Sequence, residues 1–409
     1  MDPITTAAAM PAAATVWQRF SVPYEFPVVF TEALFEADNP AFRDALIRLE
    51  PAGRHRLLVF VDEGVARSLP ALCGAIADYC EAHAAHLELV QAPVRVAGGE
   101  RVKRDWSGLE PLREAIRRHA LDRHSYVVAV GGGAVLDAVG LVAATAHRGI
   151  RHVRVPSTVL GQNDSGVGVK NGINQYGQKN YLGTFAPPFA VLNDLALLDV
   201  LPARERRAGM AEAVKVALIR DAGFFAWLER DAPALAALER GALARLVRRC
   251  AELHLEQIGR GGDPFELGSA RPLDFGHWAA HRLETASGHA LRHGEAVAIG
   301  IELDTRYAVL AGLLDEGSAA RVRALLGTLG LPLWHPLLDA RDEAGNRIVI
   351  EGLEHFRAHL GGELSVTMLT AIGHGVEVHE IERTLLGRAI DEMKAAERER
   401  RHATVEDAA

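Results

Sequence analysis

YVVAVGGGAVLDAVG, Tyr126 to Gly140, is the stretch on which the fold turns. A valine-rich run leads straight into Gly131, Gly132 and Gly133, and an apolar helical segment, AVLDAVGLVAATAH, opens at once. β-Branched residues suit a strand buried on both faces, and glycines mark the switch from period 2 to period 3.6. A strand turning on glycines into a helix is half of a βαβ unit. The same grammar lies upstream, where RLLVFVD (Arg56 to Asp62) reads as a strand, LPALCGAIADYCEAH as a helix, HLELVQA as a strand and GLEPLREAIRRHALD as a helix. A Rossmann-like parallel sheet is expected there.

Beyond Pro202 the pattern changes. PARERRAGMAEAVKVALI and PALAALERGALARLVRRCAELHLEQI have helical spacing, so an all-α half follows the α/β half. The expected division is a flexible start at 1–15, an α/β domain at 16–200, a helical domain at 201–390 and a charged, solvated tail at 391–409. Between the halves, Ser157 to Phe185 (STVLGQNDSGVGVKNGINQYGQKNYLGTF) is too long and polar for an ordinary connector, which suggests a binding loop.

The 409 residues are 49% hydrophobic and 24% charged, enough to bury a large core. A net charge of −8 provides no positive field for a polyanion, so nucleic acid is not an expected partner. Cys73, Cys80 and Cys250 form no CxxC pair, which fits a reducing compartment and argues against a thiolate zinc site. The N-terminus lacks a basic n-region and no apolar run is long enough to span a bilayer, so the expected location is cytoplasmic and off the membrane.

A strand ending in glycines at a helix N-terminus lets backbone N–H groups approach a pyrophosphate, although such turns also occur merely as tight turns. Asp62, closing an earlier strand, suits either a ribose diol or a helix cap. DFGHWAAHRLETASGHALRHGEAVAIG carries His277, His281, His289 and His293. His277 and His281 share a helix face, and His293 can return to them across a turn at Gly288. Upstream, Glu212 and Lys215 lie i,i+3 on an otherwise apolar helix, so a carboxylate and an ammonium are expected to be buried together. One Glu and two His make a three-ligand metal site with a position left open for substrate oxygens.

These strings, GGGAVLDAVG, RGIRHVRVPSTVLGQNDSGVGVKNGINQYGQKNYLGTF, LPARERRAGMAEAVKVALI and DFGHWAAHRLE…HGEAVAIG, together resemble the 3-dehydroquinate synthase-like sugar phosphate cyclases over Leu57 to Gly373. The resemblance implies NAD bound by the α/β half, one zinc or cobalt ion held against the helical half, and a small sugar phosphate in the cleft between them. It makes Glu212, His277 and His293 the metal ligands and His281 a phosphate or proton-shuttling group. Asp164 and Lys215 match residues that hold substrate hydroxyls. Lys170, Asn180 and Arg148 match phosphate contacts, the arginine lent by the second subunit of a homodimer. Asp62, Glu100, Lys103, Gly131, Gly132, Gly133, Asp137, Ser157, Thr158 and Lys179 fall where such enzymes contact NAD.

The implied chemistry is a temporary oxidation of a ring hydroxyl, β-elimination of phosphate, return of the hydride, and ring opening with aldol closure to a carbocycle. Members that form dehydroquinate grip a substrate carboxylate with a Lys and an Arg. Aligning on the acidic GDPFE portion puts Glu256 about at the Lys position and Arg271 one residue closer to His277 than the Arg position, while Asp274 stands where those members carry Asn. These departures favour sedoheptulose 7-phosphate over the carboxylated heptulosonate phosphate that 3-dehydroquinate synthase uses. The retained His281 resembles the latter group. Metal-dependent polyol dehydrogenases share the glycine turn but lack the QNDSGVGVKNGINQYGQKN segment.

Overall fold

The computed structural model describes residues 15–176, 178–265, 272–359 and 364–406. The expected flexible start lies, but for Thr15, outside the described residues, as does Arg271.

The first half is a parallel sheet of β1 (Val28–Thr31), β2 (His55–Asp62), β3 (Leu87–Leu89), β4 (Val94–Val96), β5 (Tyr126–Gly131) and β6 (Arg151–Pro156), completed after a hairpin, β7 (Lys170–Gln175) and β8 (Gln178–Phe185), by β9 (Ala190–Asp194). The order is β1-β9-β6-β5-β2-β3, with β4 also beside β2, and every sheet pairing is parallel. Helices α1 (Ala41–Ile47), α2 (Glu63–Ser68), α3 (Leu72–Ala82), α4 (Glu110–Arg118) and α5 (Gly133–Thr145) connect the strands. Alternation along β2 explains its unbroken apolar run: Leu57, Val59 and Val61 pack toward α1 and α3, whereas Leu58 and Phe60 pack toward α4 and α5.

Two features of this half escaped the pattern. β1 is a short edge strand, and the stretch expected to be a binding loop contains the antiparallel β7–β8 hairpin. β8 is mostly exposed, and β7 buries three consecutive residues, Asn171, Gly172 and Ile173, rather than alternate ones, so neither strand shows a period of two.

The second half contains α6 (Ala203–Ala208), α7 (Met210–Arg220), α8 (Ala222–Ala236), α9 (Arg240–Arg260), α10 (His277–Ala286), α11 (His293–Leu310), α12 (Glu316–Thr328), α13 (Glu351–His359) and α14 (Arg383–Glu406). A hairpin of β10 (Val366–Ala371) and β11 (His374–Val378) interrupts the helices. Helix α7 lies at the centre and is buried from Met210 through Ile219. The tail lies on α14, where Met393 is buried, Asp391 pairs with Arg347 and Lys394 with Asp339, and the other side chains of residues 391–402 are exposed or half-buried. Its apolar positions recur at helical spacing beneath a dense covering of charge. No described helix is long and apolar enough to cross a membrane.

Candidate active site

The chain order in the sheet creates a crevice. From β2 the chain goes outward to β3 and β4, then returns to β5 on the other side of β2 and continues to β6 and β9. The carboxyl ends of β2 and β5 therefore flank the point where the direction reverses, the place where open α/β sheets take ligands. Asp62 ends β2 and caps α2, accepting Gly64 N–H at 2.6 Å and Val65 N–H at 3.3 Å. Gly131 ends β5 beside it, and a Cβ on Gly131 would stand 2.9 Å from Val135 Cβ and 3.2 Å from Asp62 Cβ. One on Gly133 would stand 2.6 Å from Ser165 Oγ. The turn admits no side chains, which leaves its backbone open to a ligand at the N-terminus of α5.

Ser157 and Thr158 close β6 on the next side; Ser157 N–H donates to Gly131 O at 2.9 Å, and Thr158 Oγ1 accepts Gly161 N–H at 2.9 Å. Glu100 and Lys103, which in isolation read as a solvated pair, have separate partners. Glu100 Oε2 accepts from Asn174 Nδ2 at 2.8 Å. Lys103 is buried and donates to Asp137 Oδ2 and Asn180 Oδ1, both at 2.6 Å. Lys170 begins β7 at the surface. Arg148 is exposed beyond the far end of α5, roughly 20 Å along the helix from this chain's own glycine turn.

The second cluster forms where α7, α10 and α11 meet. Glu212, His277 and His293 bring one ligand atom each to within 4.8 Å of one another. His277 Nε2 lies 3.4 Å and His293 Nε2 3.5 Å from Glu212 Oε1. Gly294 permits this: a Cβ there would fall 1.8 Å from Ala208 O, so only glycine lets α11 start against the end of α6. His277 Nδ1 sits 3.1 Å from Phe275 O, and His293 Nδ1 sits 2.9 Å from Glu284 Oε2. Donation at Nδ1 turns each Nε2 lone pair toward the carboxylate.

Beyond an ion pair with Lys215, both Glu212 oxygens are buried without a hydrogen-bond partner among the described residues. Two imidazole lone pairs and an anion converging on one point call for a cation, and this donor set fits a zinc-like ion with an open position. In the bare protein a proton serves instead. Burial opposes the charge on His293, but the Glu284 carboxylate and the nearby Glu212 carboxylate push it up to about 9. Burial likewise opposes ionisation of Glu212, yet the Lys215 and His277 charges hold it well below the usual range.

The remaining expected residues gather around this point. His281 is exposed to the cleft, its ring 5.5 Å from that of His277. Asp164 lies in a π-helical turn, Gly161–Ser165, and its charge, with that of Glu212, raises Lys215 against the effect of burial. Asp274 adds to the same field.

Three neighbours, His254, Arg154 and Glu284, escaped the sequence pattern. His254 on α9 places Nδ1 2.8 Å from Asp164 Oδ1. Buried Arg154 donates to Gly166 O, Gly168 O, Lys170 O and Asn171 Oδ1 and so fixes the segment after Asp164. Glu284 holds His293, and Lys179 Nζ meets both Glu284 oxygens at 3.0 and 3.1 Å. Lys179, which the resemblance puts at NAD, here pairs with Glu284, and that pairing across 105 residues has no signal in the sequence. Glu256, expected to face the substrate, is half-exposed and lies 3.7 Å from Arg249. Two residues along a helix is about 200° of rotation, so with His254 turned inward Glu256 faces away.

Models of the 3-dehydroquinate synthase N-terminal and C-terminal regions match residues 93–208 and 209–347. A 2-epi-5-epi-valiolone synthase of Streptomyces glaucescens is 38% identical over 360 residues, 88% of each chain. The chain belongs to the 3-dehydroquinate synthase family. It is an enzyme of the sugar phosphate cyclase class, which sets the polyol dehydrogenase reading aside. A 3-dehydroquinate synthase of Cereibacter sphaeroides (strain ATCC 17025 / ATH 2.4.3) is 35% identical over 348 residues, 84% of this cyclase and 90% of that relative. Among solved structures, ValA, a 2-epi-5-epi-valiolone synthase from Streptomyces hygroscopicus subsp. jinggangensis 5008 with NAD+ and Zn2+ bound, superposes with a TM-score of 0.81 at 30% identity, covering 93% of this chain and all of its own.

Proposed function

We propose that this cyclase binds NAD and one zinc or cobalt ion and converts sedoheptulose 7-phosphate to a carbocycle with loss of phosphate. The observation that carries the reading is the buried convergence of Glu212, His277 and His293 beside Lys215 and Asp164. When bound, NAD takes and returns a hydride, and the ion acidifies a hydroxyl and polarises a carbonyl. The chain's own groups do the rest. Gly131 to Gly133 admit the pyrophosphate and Asp62 the ribose. Lys215 and Asp164 hold the substrate hydroxyls against the metal cluster. His281, at the open side of the cluster, meets the phosphate, whose own oxygens can then take the proton from the acidified carbon. Lys170 and Asn180 support that phosphate, with Arg148 of a second copy in a homodimer.

Preference for an uncarboxylated substrate rests on His254. Its Nδ1 lies 2.8 Å from Asp164 Oδ1, so an imidazole already engaged by a carboxylate stands here rather than a free ammonium, and a substrate carboxylate finds no fixed cation. Asp274 and the 2-epi-5-epi-valiolone synthase relative point the same way. The second reading, 3-dehydroquinate synthesis, is favoured by the retained His281. Incubation with NAD, zinc or cobalt and each heptulose phosphate, followed by product identification, decides between them. Higher kcat/KM for sedoheptulose 7-phosphate is expected; higher kcat/KM for the carboxylated substrate would assign the chain to 3-dehydroquinate synthesis.

A further inference from the structure

We propose that Glu284 is a positioning residue through which strand β8 ties the nucleotide turn to the metal cluster, so that NAD and the metal ion each favour binding of the other. The inference rests on the cofactors named above but not on the identity of the sugar phosphate.

Near the hairpin's register shift Asn180 takes a left-handed conformation with φ 54°, and it and its neighbour Lys179 reach different partners. Asn180 reaches one way, to buried Lys103 and through it to Asp137, one helical turn past Gly133. Lys179 reaches the other way, to both oxygens of Glu284 on α10. Glu284 is 4% exposed, so its charge is sunk at the contact between hairpin and helix. Its Oε2 also meets His293 Nδ1 at 2.9 Å. One carboxylate thus serves two partners from different halves of the chain. A ligating imidazole keeps its tautomer and direction when a carboxylate holds its other nitrogen, and loss of such a carboxylate typically costs about 10–100-fold in metal affinity. Ligand in the glycine turn fixes the first turn of α5, hence Asp137, Lys103 and Asn180, and with them the adjacent Lys179. Glu284 and His293 are then ordered before the ion arrives, and linkage makes the effect reciprocal.

The test measures zinc affinity of the full-length protein by chelator competition, without NAD and at saturating NAD. Wild type is expected to bind zinc about tenfold more tightly with NAD, within the usual range of coupling between sites. E284Q should lose roughly 10–100-fold in affinity without NAD, and the NAD effect should vanish. K179M should abolish the NAD effect while changing NAD-free affinity by less than about threefold, because His293 keeps its carboxylate. A merely structural role would lower the thermal midpoint and leave the ratio of the two affinities intact. Should E284Q not fold, K179M carries the test alone. Equal zinc affinity with and without NAD in wild type, or a wild-type ratio in K179M, overturns the proposal. A substrate preference for the carboxylated heptulosonate would overturn the functional reading without moving these constants.

Discussion

Two residues apart on α9, His254 and Glu256 face opposite ways, and only the histidine reaches Asp164. Aligning on the GDPFE portion gives a position in the chain but not a phase around the helix, which is why Glu256 read as the substrate-facing group. H254K is expected to shift the kcat/KM ratio toward the carboxylated heptulose phosphate by at least about tenfold, since an ammonium replaces an imidazole held beside Asp164; an unmoved ratio would remove His254 from substrate selection. His293 is tested by metal content. H293A removes a ligand outright, so zinc affinity should fall by more than the roughly 10–100-fold of an outer-shell change, and full zinc occupancy in the variant at micromolar protein would contradict the assignment. Residue types and spacing made Glu212 and the histidine-rich segment stand out, and the family resemblance picked His277 and His293 from its four histidines. Arg154, His254 and Glu284 were not legible, because each acts through a partner that only the fold brings near.

At the scale of elements, the site depends on how closely α6, α10 and α11 approach. G294A would place a methyl group against Ala208 O, with backbone on both sides and no flexible atom to yield. It is expected to cost about 1–3 kcal/mol of stability and to weaken zinc binding together; an unchanged thermal midpoint would show that the helices can part freely. Asp304 fastens α11 to the start of α10, accepting Gly276 N–H at 2.9 Å and Trp278 Nε1–H at 2.8 Å. Burial lifts its carboxyl to about 7 despite these two donors. Between about pH 4 and 7 the folded protein therefore keeps a proton that the unfolded chain has lost, so this group's contribution to stability declines as pH rises, by on the order of 4 kcal/mol in all. Denaturant midpoints measured across that window should fall less steeply in D304N; an equal slope would contradict the assignment. Helices α3, α4, α5, α7 and α9 and strands β2, β3 and β5 were readable from period. β1 and the β7–β8 hairpin were not, since a four-residue edge strand and a hairpin without regular alternation show none.

The whole molecule places a nucleotide crevice on one half and a metal cluster on the other, with the segment after β6 carrying Asp164 and the hairpin between them. Val167 and Val191 pack against Ala251 of α9, so the halves share a small apolar joint beside the site. That arrangement suits chemistry in which one nicotinamide withdraws and returns a hydride while the sugar stays in place. The most direct test follows phosphate release and NADH absorbance together during turnover of sedoheptulose 7-phosphate with catalytic NAD and zinc or cobalt. Phosphate is expected to accumulate mole for mole with sugar consumed while NADH never exceeds the enzyme concentration. NADH rising in step with turnover, or sugar consumed without phosphate release, would contradict a cyclase that borrows its hydride.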